Sequence, residues 1–278
     1  MIALRSVALV VVAVLLCVPC GQAQSLVERA RLRGFARPSA AVDAEGSVYV
    51  ADAGGNRVVK FGPRGDSIAA VSGSGWGDTQ FDGPSGIAVR GIDVFVTDRG
   101  NHRVQRFDRM LSFVASLSTH ESPRPETRFG YPRGVAISPQ GDLYIIDGEG
   151  MRIVVVTPFN IVLRSFGSID AGSLSLSDPQ SVCAEADGII DVVDRGTVKR
   201  FDSFGTPRGV LPGIRAVACA ADGDRMYVLT DSALMRFTTG GQPASITLPP
   251  GAWRGAAASG ETIVLWDDAA VSICEVRQ

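Results

Sequence analysis

Three carboxylate–guanidinium pairs recur along this chain at one interval: Asp52 with Arg57, Asp98 with Arg103 and Asp147 with Arg152, each five residues apart. An acid held beside a base is the arrangement of general acid–base catalysis, and a lone pair of this kind would mark a reaction centre. A residue repeated in every unit, however, marks no unique centre. A carboxylate at a strand end that accepts backbone N–H groups and an Arg is a turn lock, and that is the structural role these six residues predict. His102, within Asn101-His102-Arg103, belongs to the same motif and reads as an exposed repeat residue.

The elements that must position these pairs repeat as well. The landmark acid falls at Asp52, Asp98, Asp147 and Asp194, at intervals of 46, 49 and 47 residues, and weaker copies carry Thr230 and Asp267 after steps of 36 and 37. A period of this size means that one supersecondary unit is stacked on itself. Within one copy, Pro84-Ser85-Gly86 leads into four short runs at 87–89, 94–97, 104–107 and 111–117, rich in Val, Ile, Phe and Tyr and bounded by Gly, Pro, Asp or Asn. Outside the N-terminus no window longer than about 11 residues sustains helical spacing. The pattern predicts an all-β fold, a six-bladed β-propeller of four-stranded antiparallel blades. The last copy stops soon after its third strand, 271–276, so residues 25–33 are the expected donor of the missing strand, closing the ring.

At Pro-x-Gly-Ile/Val-Ala-Val/Ile, at Tyr/Phe-Val-x-Asp and at Gly100-Asn101-His102-Arg103-Val104 the chain resembles the NHL-repeat family in an exported, bacterial form. Copies one to three, residues 35–117 and 129–166, carry the motifs closely. Copy four departs: Asp194 is followed by Arg195-Gly196-Thr197-Val198, a turn two residues shorter and without Asn-x-Arg. Copies five and six keep only the strand pattern. The resemblance implies six blades and no particular activity, because one fold hosts many functions.

In propellers of this kind the loops leading into each first strand, and those joining strands two and three, surround the central channel on one face. The residue before the small position of each lead-in loop is Ser39, Ser85, Arg133, Gln180, Arg215 and Arg254 in turn. Arg at 133, 215 and 254, with Arg99 and Arg195 in neighbouring loops and Gln180 between, predicts a local positive field for an anionic ligand. A guanidinium fork fits carboxylate or phosphate. The competing reading pairs these Arg residues with Glu149, Asp194 or Asp267 of adjacent blades and leaves only a neutralised rim.

Related propeller lyases hold a channel metal with several His. Here His102 and His120 are the only two, so a three-His zinc site is ruled out by composition. Lactonase-like propellers use Glu, Asn and Asp around a divalent cation, and Glu149, Asp191 and Asp194 are the residues that would serve. No lead-in position supplies a matching Glu or Asn. The sequence carries no Gly-x-Ser-x-Gly and no phosphate loop. The expectation is therefore no catalytic residue, no assigned metal ligand and no cofactor, with a structural or channel calcium left open.

Residues 2–19 hold one charge, Arg5, and an apolar run from 7 to 18, followed by Gly21-Gln22-Ala23. This predicts a signal peptide over 1–23 cleaved near Ala23, a secreted or periplasmic location and a single propeller domain over 24–278 with no transmembrane span. A lipoprotein anchored through Cys20 is the second reading. Cys183, Cys219 and Cys274 remain, an odd number, and read as small buried apolar residues. A pI near 5.8 and the export signal argue against nucleic acid. The expected function is an exported, monomeric binding or scaffold propeller for a protein, peptide or glycan of the cell envelope. The runner-up is a secreted lyase or lactone hydrolase using a divalent metal in the channel.

Overall fold

The computed structural model describes residues 24–238 and 241–277. The expected signal segment, 1–23, lies outside them. The chain opens with β1 (Gln24–Arg33). Four antiparallel sheets of four strands follow: β2 (Pro38–Val42), β3 (Val48–Asp52), β4 (Arg57–Phe61) and β5 (Ser67–Ser72); β6 (Pro84–Arg90), β7 (Asp93–Asp98), β8 (Arg103–Asp108) and β9 (Phe113–Ser118); β10 (Val135–Ile137), β11 (Leu143–Asp147), β12 (Arg152–Val156) and β13 (Val162–Phe166); β14 (Pro179–Ala184), β15 (Ile190–Asp194), β16 (Thr197–Phe201) and β17 (Pro207–Val210). The remaining strands are β18 (Ala216–Asp222), β19 (Arg225–Thr230), β20 (Ala233–Thr238), β21 (Ala244–Thr247), β22 (Gly255–Ser259), β23 (Thr262–Trp266) and β24 (Ala270–Arg277).

The expectation of a six-bladed propeller of four-stranded blades is corrected here: the described residues form four such blades and not six. Beside the four four-stranded sheets stands one eight-stranded sheet, ordered β18-β19-β20-β21-β1-β24-β23-β22. The cause is β1. It runs antiparallel to β24 from Ser25↔Arg277 to Arg33↔Ala270, with a bulge between Glu28 and Ala30, while Gln24 and Ser25 pair in parallel with Ile246 and Thr247 of β21. An outer strand such as β21 presents unpaired N–H and C=O groups, and a ten-residue β1 is long enough to satisfy some of them.

The all-β propeller itself stands. Side chains alternate across each strand, so a second or third strand of one sheet feeds two cores. Tyr49 and Ala51 pack with Phe81 of the segment leading into β6 and with Val94, Val96 and Phe107 of the next sheet, whereas Val48 and Val50 pack with Val264, Val271 and Ile273 of the sheet before. β3, β11 and β15 are buried at every position, which is why β3 and β11 read as unbroken apolar runs ending in Asp, while β15 breaks the run with the buried Asp191. Each fully buried Val, Ile or Leu contributes roughly 1.5–3 kcal/mol. Among the described residues no helix is long and apolar enough to cross a membrane.

Candidate functional site

The repeated pairs are locks. Arg57 Nε donates to Asp52 at 2.8 Å, Arg103 Nε to Asp98 at 2.8 Å and Arg152 Nε to Asp147 at 3.0 Å. The second carboxylate oxygen accepts a backbone N–H from the lead-in loop: Ala36 for Asp52, Asp82 for Asp98 and Gly130 for Asp147. Each Arg also reaches carbonyls of the preceding connection, Gly34 for Arg57, Gln80 for Arg103 and Arg128 for Arg152. One ion pair thereby fixes a turn, a loop and a linker to each other.

Copy four keeps the lock by a route the sequence reading missed. Asp194 accepts N–H groups of Ser177 and Asp178, and Lys199 Nζ donates to it at 2.7 Å while also reaching Ser175 O. Pairing of Asp98 with Arg103, but of Asp194 with Thr197, shows that the turn is shorter by two. The cation therefore comes from two residues further along the strand, on the same face, where copy two has Gln105. Lys199 and the backbone N–H groups hold the Asp194 carboxyl below its usual range, against the burial that opposes them.

A cavity of about 910 Å³ runs inside the innermost strands, with Ser39, Ser85, Arg133 and Gln180 on the lead-in side, a small apolar wall, and Asp43, Arg109 and Asp222 on the other. Arg215 and Arg254 do not line it. Arg133 Nη1 donates to Asp178 at 2.5 Å, Gln180 Nε2 donates to Asp178 at 3.2 Å, and Arg254 pairs with Asp268 at 3.3 Å. Among the described residues Arg99, Arg195 and Arg215 make no ion pair, and all three are exposed. The Arg215 stem packs against the turn that carries Arg195, its Cγ lying 3.5 Å from where a Cβ on Gly196 would sit.

The carboxylates first considered as neutralisers are engaged elsewhere: Glu149 lies beside His120, Asp194 holds Lys199, and Asp267 accepts from Arg31 of β1 at 3.0 Å. Glu149, Asp191 and Asp194, the residues weighed for a divalent cation, thus sit in three different contact sets. Asp191 is fully buried, paired with Arg200 at 2.9 Å, while the same guanidinium bonds Glu185 at 2.5 Å. Cys183, Cys219 and Cys274 are free and buried. Burial pushes the Cys274 thiol up to about 12.

Residues 81–107 and 129–156 match the family model described as NHL repeat. NHL repeat-containing protein 3 of Mus musculus is 28% identical over 219 residues, 73% of this chain and 59% of that protein, so the match spans little more than half of the relative. Among solved structures, a gluconolactonase from Xanthomonas campestris is similar with a TM-score of 0.66 at 11% identity, over 91% of this chain and 89% of that one. Virginiamycin B lyase from Staphylococcus aureus gives a TM-score of 0.58 at 15% identity, over 85% of this chain and 79% of that one. At such identities the likeness shows the fold alone. Four lock-bearing sheets and cores shared between neighbours make this chain an all-β propeller, two segments of which, 81–107 and 129–156, match the NHL-repeat model.

Proposed function

We propose that the protein is an exported binding or scaffold propeller whose lead-in face takes an anionic group presented by a protein, peptide or glycan of the cell envelope. The observation that carries this reading is the set Arg99, Arg195 and Arg215, exposed and without carboxylate partners on a chain of formal net charge -2. Arg99 and Arg195 stand on strand-two-to-three turns, and Arg215 immediately precedes β18, so all three belong to the face where the lead-in loops gather. A cation left unpaired in a mildly acidic protein keeps its field for a ligand, and the guanidinium fork meets carboxylate, sulfate or phosphate with two parallel bonds. Arg133 and Arg254, tied to Asp178 and Asp268, contribute less charge and more shape.

The wall of the channel favours binding over metal-assisted hydrolysis or elimination. Its carboxylates already have partners: Asp43 accepts from Arg109 and from the N–H groups of Glu45 and Ser47, and Asp222 accepts from Gly260 N–H.

The test compares wild type with an Arg99→Ala, Arg195→Ala, Arg215→Ala variant in capture from an envelope extract of the source organism. Exposed substitutions of this sort change stability by about 0.5 kcal/mol or less each, so both proteins should melt alike. A partner held by wild type, weakened about tenfold or more in the variant and released by added salt, is the expected result. A partner retained equally by both proteins would move the interface off this face.

A further inference from the structure

We propose that His102, His120 and Glu149 form a binding site for a divalent transition metal, for which zinc is the best fit. One ligand atom from each residue lies within 4.8 Å of the other two. The three residues come from separate segments: His102 from the turn between β7 and β8, His120 from the linker after β9, and Glu149 from the turn between β11 and β12. His120 Nδ1 stands 3.8 Å from Glu149 Oε2, and the two imidazole centroids are 4.3 Å apart.

The repeat does not require these residues. At the place of His102 the other close copies carry Asn56 and Met151, and at the place of Glu149 they carry Gly54 and Gly100. The left-handed backbone at His102 is shared with Asn56 and Met151, so the turn shape belongs to the repeat and only the side chains are particular to this corner. Gly130 leaves the space that the Glu149 carboxylate occupies, since a Cβ there would collide with it. A lock residue prepares the ground too: Arg152 is neutralised by Asp147 at 3.0 Å, so its charge is spent before it faces the cluster.

Chemistry selects the ion. Two imidazoles and one carboxylate are a zinc donor set that leaves a fourth position for water, whereas calcium asks for six or more oxygens. The His102 Nδ1 lone pair is used only for a long contact, 3.3 Å from Tyr131 N–H, which a cation displaces. Beside the cluster a cavity of about 230 Å³, lined by His120, Arg128, Glu149 and Arg152 among others, gives the ion a way in. A bound ion would tie the 119–128 linker to the turns of two neighbouring sheets.

The experiment uses the whole chain, stripped with a chelator and titrated with Zn²⁺ by calorimetry, with Ca²⁺ as the control ion. His120→Ala and Glu149→Gln are the variants; both side chains are well exposed, 40% and 58%, so the metal-free fold should be unaffected. The expected result is one Zn²⁺ per chain, no Ca²⁺ heat, a melting temperature raised by about 5 °C at saturating zinc, and affinity at least about tenfold weaker in each variant. Absence of Zn²⁺ binding at about 100 μM, or binding undiminished in both variants, overturns the proposal.

Discussion

Asp191 shows how far burial can move one side chain. It has no exposed surface in β15, its Oδ2 has no hydrogen-bond partner, and burial together with Glu185 outweighs Arg200 and pushes its carboxyl up to about 8. The unfolded chain releases the same proton near pH 4. A folded pKa above the unfolded one means that the proton favours the native state. The contribution is complete below about pH 4 and is lost as pH rises through about 8, at roughly 1.4 kcal/mol for each pH unit between the two values. Urea midpoints should therefore fall between about pH 5 and about pH 8.5, and Asp191→Asn should flatten that slope. Equal slopes in wild type and variant would remove Asp191 from the account. In the sequence Asp191 invites a metal role, because nothing there reveals that Glu185 and Arg200 converge on it. That convergence is a product of sheet register, which pairs Asp191 with Arg200 across β15 and β16.

At the scale of the element, the lock is worth most where it is most buried. The Arg103 and Asp98 side chains are 7% and 0% exposed, whereas Arg57 in the same place is 37% exposed. Arg103 also bonds the carbonyls of Trp76, Gly77 and Gln80. The last two keep second donors, Gln80 N–H and Gln105, so removal of Arg103 strands the Trp76 acceptor and uncouples one buried carboxylate from its cation. Arg103→Ala should lose about 3–5 kcal/mol in urea unfolding, the usual consequence of breaking a buried pair from one side. Arg57→Ala should lose about 1 kcal/mol. Similar losses in the two variants would show that burial does not set the strength of the lock. The five-residue interval made three locks legible in the sequence, since register and turn length are encoded locally. Copy four was hidden because a shorter turn moved the cation two residues into β16 as Lys199. Copy six was hidden because its cation, Arg31, arrives from β1, far off in the sequence. The His102–His120–Glu149 corner was illegible for the same reason: the linker carrying His120 has no repeat to place it.

At the scale of the whole molecule, one strand determines how the sheets are partitioned. The short runs and their period made the all-β propeller readable, but the number of separate sheets depended on an edge contact that no local pattern reports. Only two residues of β1, Gln24 and Ser25, join β21, and that is sufficient to fuse two groups of strands into an eight-stranded sheet. The longer contact, with β24, carries most of the stability. Leu26 is buried in the core shared by β18–β24, Ala30 and Leu32 pack against the core that reaches β2 and β3, and Arg31 closes on Asp267. Removing β1 would expose these apolar surfaces and leave both β24 and β21 with free edges, which is a route to edge-to-edge aggregation as well as to lower stability. A chain starting at residue 34 should melt more than about 10 °C below one starting at residue 24, and should associate at rising concentration. Arg31→Ala alone, which keeps the strand, should shift the melt by only a few degrees, about 3 °C. Adding a peptide of residues 24–33 to the truncated chain should recover part of the loss, because the receiving edge of β24 is still present. An unchanged melt after truncation would mean that the sheets hold their arrangement through the cores between them, and that β1 covers an edge without sustaining the ring.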